Sequence, residues 1–152
     1  MAELIIDRNY YNKLDIEGFS KMMSSPSYCY KFYWLEAIVQ LISANRTEAT
    51  YDEIINKMIV NAWFPVQEYH IHLSGIYGER EVKDNLEKAV SRLFKLSDLP
   101  SNADEIQIIN KLNEFSDDKE LHFYKTELTK NVPYKALSGF ANKGLKMQLK
   151  HI

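Results

Sequence analysis

The sequence predicts a mainly helical single domain of five to six helices, with at most one short strand or hairpin around residues 69–74. Three observations lead there. Five stretches place apolar residues at helical spacing, and only residues 69–74 alternate in the manner of a strand. Apolar residues make up 45% of the chain and charged residues 26%, the balance of a globular domain. A chain of 152 residues is long enough to bury roughly 70% of its unfolded surface, so it needs no disulfide or structural metal to fold.

The helices can be justified in chain order. In residues 28–43, Tyr28, Phe32, Leu35, Val39 and Ile42 form one stripe, widened by Trp34, Ile38 and Leu41, with Glu36, Gln40 and Ser43 on the wet side. Ser25-Pro26-Ser27 is a start signal and Asn45 a stop. Thr50 and Glu53 have capping-box spacing, and Ile54, Ile55, Met58, Ile59 and Ala62 follow until Pro65 biases Phe64 out of helical geometry. Tyr69, Ile71 and Leu73 alternate with His70, His72 and Ser74, as a strand or an extended connection. Gly75 and Gly78 bracket a turn. Val82, Leu86, Ala89, Val90 and Leu93 then define a third helix. Ser101 can cap a fourth with Ile106, Ile109 and Leu112 as its core face, and a fifth over 118–130 presents Leu121, Tyr124 and Leu128. Leu145 and Leu149 leave room for a short final helix. Residues 1–24 read as an N-terminal arm, 25–130 as the helical domain, and 131–152 as a basic linker or C-terminal tail.

Charge is polarised beneath a net value of −2. Asp104, Glu105, Glu114, Asp117, Asp118 and Glu120 outnumber Lys111 and Lys119. From residue 130 onward Lys130, Lys135, Lys143, Lys146 and Lys150 face no acid at all. Such a strip is either a solvated tail or a surface that meets phosphates. Lys31, on the apolar side of its helix, either snorkels or anchors an anion. These six lysines are the DNA-binding candidates.

The residues offer little to catalysis. On a strand, His70 and His72 would share a face about 7 Å apart, which makes them the weak metal candidates, but no neighbouring carboxylate or cysteine completes a ligand set. Cys29 is the one cysteine, so no internal disulfide forms, and beside Tyr28 and Tyr30 it reads as a small packing residue. Ser74-Gly75-Ile76-Tyr77-Gly78 lacks the spacing of a phosphate loop. Of the aromatics Tyr28, Tyr30, Phe32, Tyr33 and Trp34, most point to the core and a minority reading stacks them on unpaired bases. No catalytic residue, metal or cofactor is expected. The apolar runs are too short for a membrane span, and the acidic residues of the first eleven positions do not resemble a signal peptide. A cytoplasmic location follows.

Three stretches in order, Ser27-Tyr28-Cys29-Tyr30-Lys31-Phe32-Tyr33-Trp34, Asn61-Ala62-Trp63-Phe64-Pro65-Val66 and Val132-Pro133-Tyr134-Lys135-Ala136-Leu137-Ser138, resemble the N-terminal region of bacterial proteins that carry an HNH endonuclease domain farther downstream. The likeness covers roughly residues 25–140. It implies DNA cleavage by a metal-binding unit. His70, His72, His122 and His151 do not have that unit's arrangement, so none of its residues carries over. The expected function is therefore a non-catalytic helical accessory module, either a piece of a longer nuclease or a free-standing relative, whose partners are DNA, a downstream nuclease domain or a second copy. The alternatives are a helix-turn-helix regulator, with residues 50–63 as supporting helix and 69–74 in a wing, and a protein-interaction domain that meets no nucleic acid. Against the regulator, no basic recognition helix follows Pro65.

Overall fold

The computed structural model describes residues 15–24, 29–74, 76–77, 80–81 and 84–137. The domain is mainly helical. Its elements are α1 (Ile16–Ser24), α2 (Tyr30–Ser43), α3 (Tyr51–Gln67), β1 (Ile76–Tyr77), β2 (Arg80–Glu81), α4 (Asn85–Ser97), α5 (Glu105–Glu114) and α6 (Lys119–Leu137). The β-segments form a two-residue antiparallel ladder, Ile76 opposite Glu81 and Tyr77 opposite Arg80. No helix among the described residues is long and apolar enough to cross a membrane.

Helix α3 is the hub, packing against α2, α4, α5 and α6. Its buried face is Ile55, Met58, Ile59, Ala62, Trp63 and Val66. Against it lie Trp34 and Ala37 of α2, Leu86, Ala89, Val90 and Leu93 of α4, Ile108 and Leu112 of α5, and Leu121, Leu128, Val132 and Ala136 of α6. Ion pairs tie the periphery across elements: Lys57 with Glu105 at 2.6 Å, Lys125 with Asp52 at 2.6 Å, and Arg92 with both Asp118 at 2.6 Å and Glu120 at 2.8 Å.

Helix starts are chemically explicit. The Thr50–Glu53 capping box forms as the spacing predicts. Asp84 caps α4 by accepting the Glu87 N–H at 2.8 Å. Asp118 accepts the Leu121 N–H at 2.9 Å at the head of α6, and its hydrogen bonds from Arg92 and from that N–H hold its carboxyl down at about 2. Asn45 is left-handed (φ 58°), as expected of a residue that closes α2.

Several expectations are corrected. Helix α3 does not stop before Pro65 but runs to Gln67. A proline in the last turn forfeits one hydrogen bond, and burial of Val66 together with the Glu68 N–H to Phe64 carbonyl bond (2.9 Å) holds the turn beyond it. Pro133 likewise sits buried inside α6. That helix continues through Val132 and Ala136 to Leu137, so the boundary expected at residue 130 falls within a packed element, and α1 with its buried Met22 occupies part of the expected arm. Helix α5 is capped by Asp104 in a box with Gln107, whereas the Ser101 hydroxyl donates to Glu68. Its core face is Ile108 and Leu112, with Ile109 partly buried and Ile106 exposed, because only a narrow stripe meets α3 and α4.

Residues 69–74 form no strand. His70 is left-handed (φ 51°), which breaks the alternation, and the short ladder lies at 76–81 instead. On α2 the inward face is Tyr30, Lys31, Trp34 and Ala37, while Phe32, Val39 and Ile42 of the expected stripe are 40%, 52% and 64% exposed. The expectations for Ser25-Pro26-Ser27, Tyr28, Gly75, Gly78, Val82, Leu145 and Leu149 lie outside the described residues.

Candidate functional site

The most constrained polar cluster joins the connection after α3 to the first turn of α4. Glu87, in that first turn, is 2% exposed. One carboxylate oxygen accepts the Leu73 backbone N–H at 3.2 Å and the other lies 3.1 Å from His72 Nδ1. Leu73 in turn offers its carbonyl to the Cys29 N–H at 3.3 Å, so the start of α2, the connection and α4 are linked in series. Val66, Gln67, His70, Ile71 and Ser91, with His72 and Glu87, line a cavity of about 120 Å³ here.

The histidines are therefore placed differently from the strand expectation. His72 is held by a buried carboxylate, while His70 owes its position to a left-handed turn. Among the described residues, no three His, Cys, Asp or Glu side chains converge to hold a metal ion. Cys29 lies exposed at the head of α2. Partial desolvation raises its thiol pKa and the Asp84 charge adds to the shift, which disfavours the thiolate a nucleophile requires.

Asp84 is the second acid of the cluster. Burial raises its carboxyl above the ordinary aspartate value and the neighbouring Glu87 charge adds to this, against the helix N–H groups that favour the anion. Its folded pKa exceeds its unfolded one, so folding favours the protonated form. The resulting destabilisation is fully present above the folded pKa and disappears as pH falls below the unfolded value. Asp84→Asn keeps a good cap without the charge. Thermal melts should show the Asp84→Asn variant with a raised midpoint at pH 7, the gain shrinking as pH falls through about 4. A variant that melts lower than the parent at pH 7 would contradict this account.

Sequence reasoning missed Asp84 and Glu87. Their spacing is that of a capping box, visible as Asp84-Asn85-Leu86-Glu87, but Glu87 turns toward Leu73 and His72, which no local pattern announces.

The lysine candidates separate. Lys31 is 8% exposed on the inward face of α2, which removes it from any surface that meets a phosphate backbone. Lys130 is exposed and pairs with Glu127 at 3.1 Å. The Lys135 ammonium lies 6.0 Å from the Tyr30 ring centroid. Lys143, Lys146 and Lys150 lie outside the described residues. Of the aromatics, Tyr30 and Trp34 are core, Tyr33 is partly buried and Phe32 faces outward. Apolar surface also gathers at the end of α3, where Phe64 and Tyr69 meet edge to face at 5.4 Å and Ile71 is exposed beside them in sequence.

No protein-family model, curated protein or solved structure matches this chain.

Proposed function

We propose that the chain is a non-catalytic helical accessory module, as its resemblance to the N-terminal region of HNH endonuclease domain-containing proteins implies, and that its helical body works through contact with protein. The observation that carries this reading is the pairing of six of the body's bases with its own acids. Lys57, Lys125, Arg92, Arg46, Lys111 and Lys130 each lie within 3.1 Å of a carboxylate oxygen of Glu105, Asp52, Asp118, Glu53, Glu114 and Glu127 respectively. Phosphates bind by releasing counterions at unneutralised cations, and these cations already have intramolecular ones. Phe64, Tyr69 and Ile71 supply the exposed aromatic and aliphatic anchors that protein interfaces use.

The proposal places contact with DNA at Lys143, Lys146 and Lys150, in a stretch of sequence that carries no acid. Binding to duplex DNA should be weak, tolerant of sequence and steeply salt-dependent. Replacing those three lysines with glutamine should flatten the log–log salt slope by about 2 to 3 units, at about 0.9 per neutralised phosphate. Lys57→Gln and Lys125→Gln should leave the slope unchanged. The opposite pattern would place the DNA surface on the helical body and overturn the reading. The purified chain should not cleave DNA with magnesium, manganese or zinc. Cutting that copurifies with the chain and is lost in the His70→Ala/His72→Ala variant would make it a nuclease.

The helix-turn-helix reading has less behind it, because α3 is followed by an irregular connection and the next helix, α4, begins only at Asn85 and is largely packed into the core. A cytoplasmic location belongs to the same proposal, and no helix among the described residues is long and apolar enough to cross a membrane.

A further inference from the structure

The cavity of about 120 Å³ between the end of α3, the connection and α4 has hydrogen-bonding groups in its wall. Gln67 is the last residue of α3, His70 sits in the left-handed turn after it, and Ser91 lies on α4 one turn beyond Glu87. None of these three side chains hydrogen-bonds to another group among the described residues. The Glu87 carboxylate, 2% exposed, gives the wall its negative charge. No lysine or arginine is among the described lining residues. Such a wall, a carboxylate among neutral acceptors, is matched by a cation that carries several N–H donors.

We propose that this cavity receives the guanidinium of an arginine from a partner protein, held by the Gln67, His70 and Ser91 side chains beside the Glu87 carboxylate. The proposal rests on the protein-contact reading above and names the partner's anchor. Size favours the head of a side chain over a free ligand. Pockets for small molecules enclose roughly 300 to 1,000 Å³. A volume of about 120 Å³ is room for about four waters at about 30 Å³ each, which suits the carbon and three nitrogens of a guanidinium. The spread of the wall favours guanidinium over ammonium. Its polar groups come from α3, the connection and α4, and a planar fork of N–H donors reaches several of them at once, where an ammonium acts as a point charge.

Position favours a protein as the bearer. Ile71 lines the cavity and is also 46% exposed. Its N–H donates to the Pro65 carbonyl at 3.2 Å, which holds the mouth beside the end of α3, where Phe64 and Tyr69 meet edge to face. The methylene stem of an arginine would cross Ile71, and the rest of the partner would meet the aromatic pair. Arginines seated in pockets and ringed by apolar contacts are common anchors of protein interfaces.

The test follows the amide chemical shifts of the full, isotope-labelled chain, without DNA, as a capped glycine–arginine–glycine peptide is added. The amides of Gln67, Ile71 and Ser91 should shift along a saturating curve in the millimolar range, the strength of one anchor detached from its interface. The citrulline peptide, equal in shape and uncharged, should bind about tenfold more weakly, as should the lysine peptide. His70→Gly suits the left-handed backbone, and Gln67→Leu removes an amide from a half-buried site. Both are compatible with the fold, and each should weaken binding about tenfold. Glu105→Gln removes an exposed carboxylate outside the cavity and should leave binding unchanged. Citrulline or lysine peptides that bind as well as the arginine peptide overturn the proposal, and so does an absence of saturable shifts at Gln67, Ile71 and Ser91. Free arginine binding more tightly than the capped peptide marks a small-molecule site and overturns it too. None of these results alters the contribution of Phe64 and Tyr69 to protein contact or the salt slope that tests the DNA assignment, so the two readings fail separately.

Discussion

Trp63→Ala should lower the stability of the domain by about 3 to 5 kcal/mol, a large share of the roughly 5 to 15 typical of folded domains. Trp63 is fully buried in the C-terminal half of α3, its ring centroid 5.9 Å from that of Phe94. Its indole N–H donates to the Pro100 carbonyl at 3.0 Å and ties the chain between α4 and α5 to the hub helix. Truncation therefore leaves a cavity where the hub meets its neighbours and takes away the partner of a backbone oxygen. For a chain of this length each kcal/mol is worth about 2 to 4 °C in midpoint, so the melt should fall by roughly 6 to 20 °C. Trp63→Phe separates the two contributions. It retains most of the ring volume, gives up the hydrogen bond, and should cost clearly less than the alanine. Chemical denaturation followed by circular dichroism reads both variants. A Trp63→Ala domain that unfolds at the parent's denaturant concentration would remove this residue from the core.

The helical class and the hub helix are legible in the sequence because their signals are local. Thr50 and Glu53 satisfy each other within one turn, and the apolar repeat from Ile54 to Ala62 has one consistent face. Helix α2 fails that condition. Two stripes compete on it, and the choice between them is made by Trp34 and Ala37 fitting against α3, a tertiary fact. In α5 the alternatives are Ile106 with Ile109 and Ile108 with Leu112, and again the neighbours decide. Pro65 misleads for a different reason. The loss of a single helical bond is outweighed when Val66 buries on the same turn.

The polar cluster is the least legible part. Asp84 can be found from its cap spacing, yet the partners of Glu87 lie 14 and 15 residues away in an irregular connection with no periodicity to read. Strand alternation pairs His72 with His70 on one face, and the left-handed backbone at His70 removes that relation. Lys31 is visible as the odd residue on an apolar side, and burial rather than snorkelling into solvent is the outcome.

Glu87→Ala should destabilise the domain by about 1 to 3 kcal/mol, with its effect concentrated at one junction. A carboxylate this buried has given up hydration worth several kcal/mol and is tolerated only because donors replace the water. Removing it leaves the Leu73 N–H without its acceptor beside a side chain that is itself buried, which costs about 1 to 3 kcal/mol. Two features hold the loss to that range. His72 is 38% exposed and can turn to solvent, and Asp84 is relieved of the Glu87 charge that adds to its own raised pKa. Glu87→Gln keeps an oxygen for the Leu73 amide while discarding the charge, and should therefore melt between the alanine variant and the parent. The sharper readout is hydrogen exchange. Because Leu73 also accepts the Cys29 N–H, the amides of Leu73 and Cys29 should both exchange faster in the alanine variant, while those in the middle of α3 follow only the global loss. If the Leu73 amide exchanges at the parent's rate in Glu87→Ala, the carboxylate does not hold the connection, and the link from α2 to α4 through Leu73 fails with it.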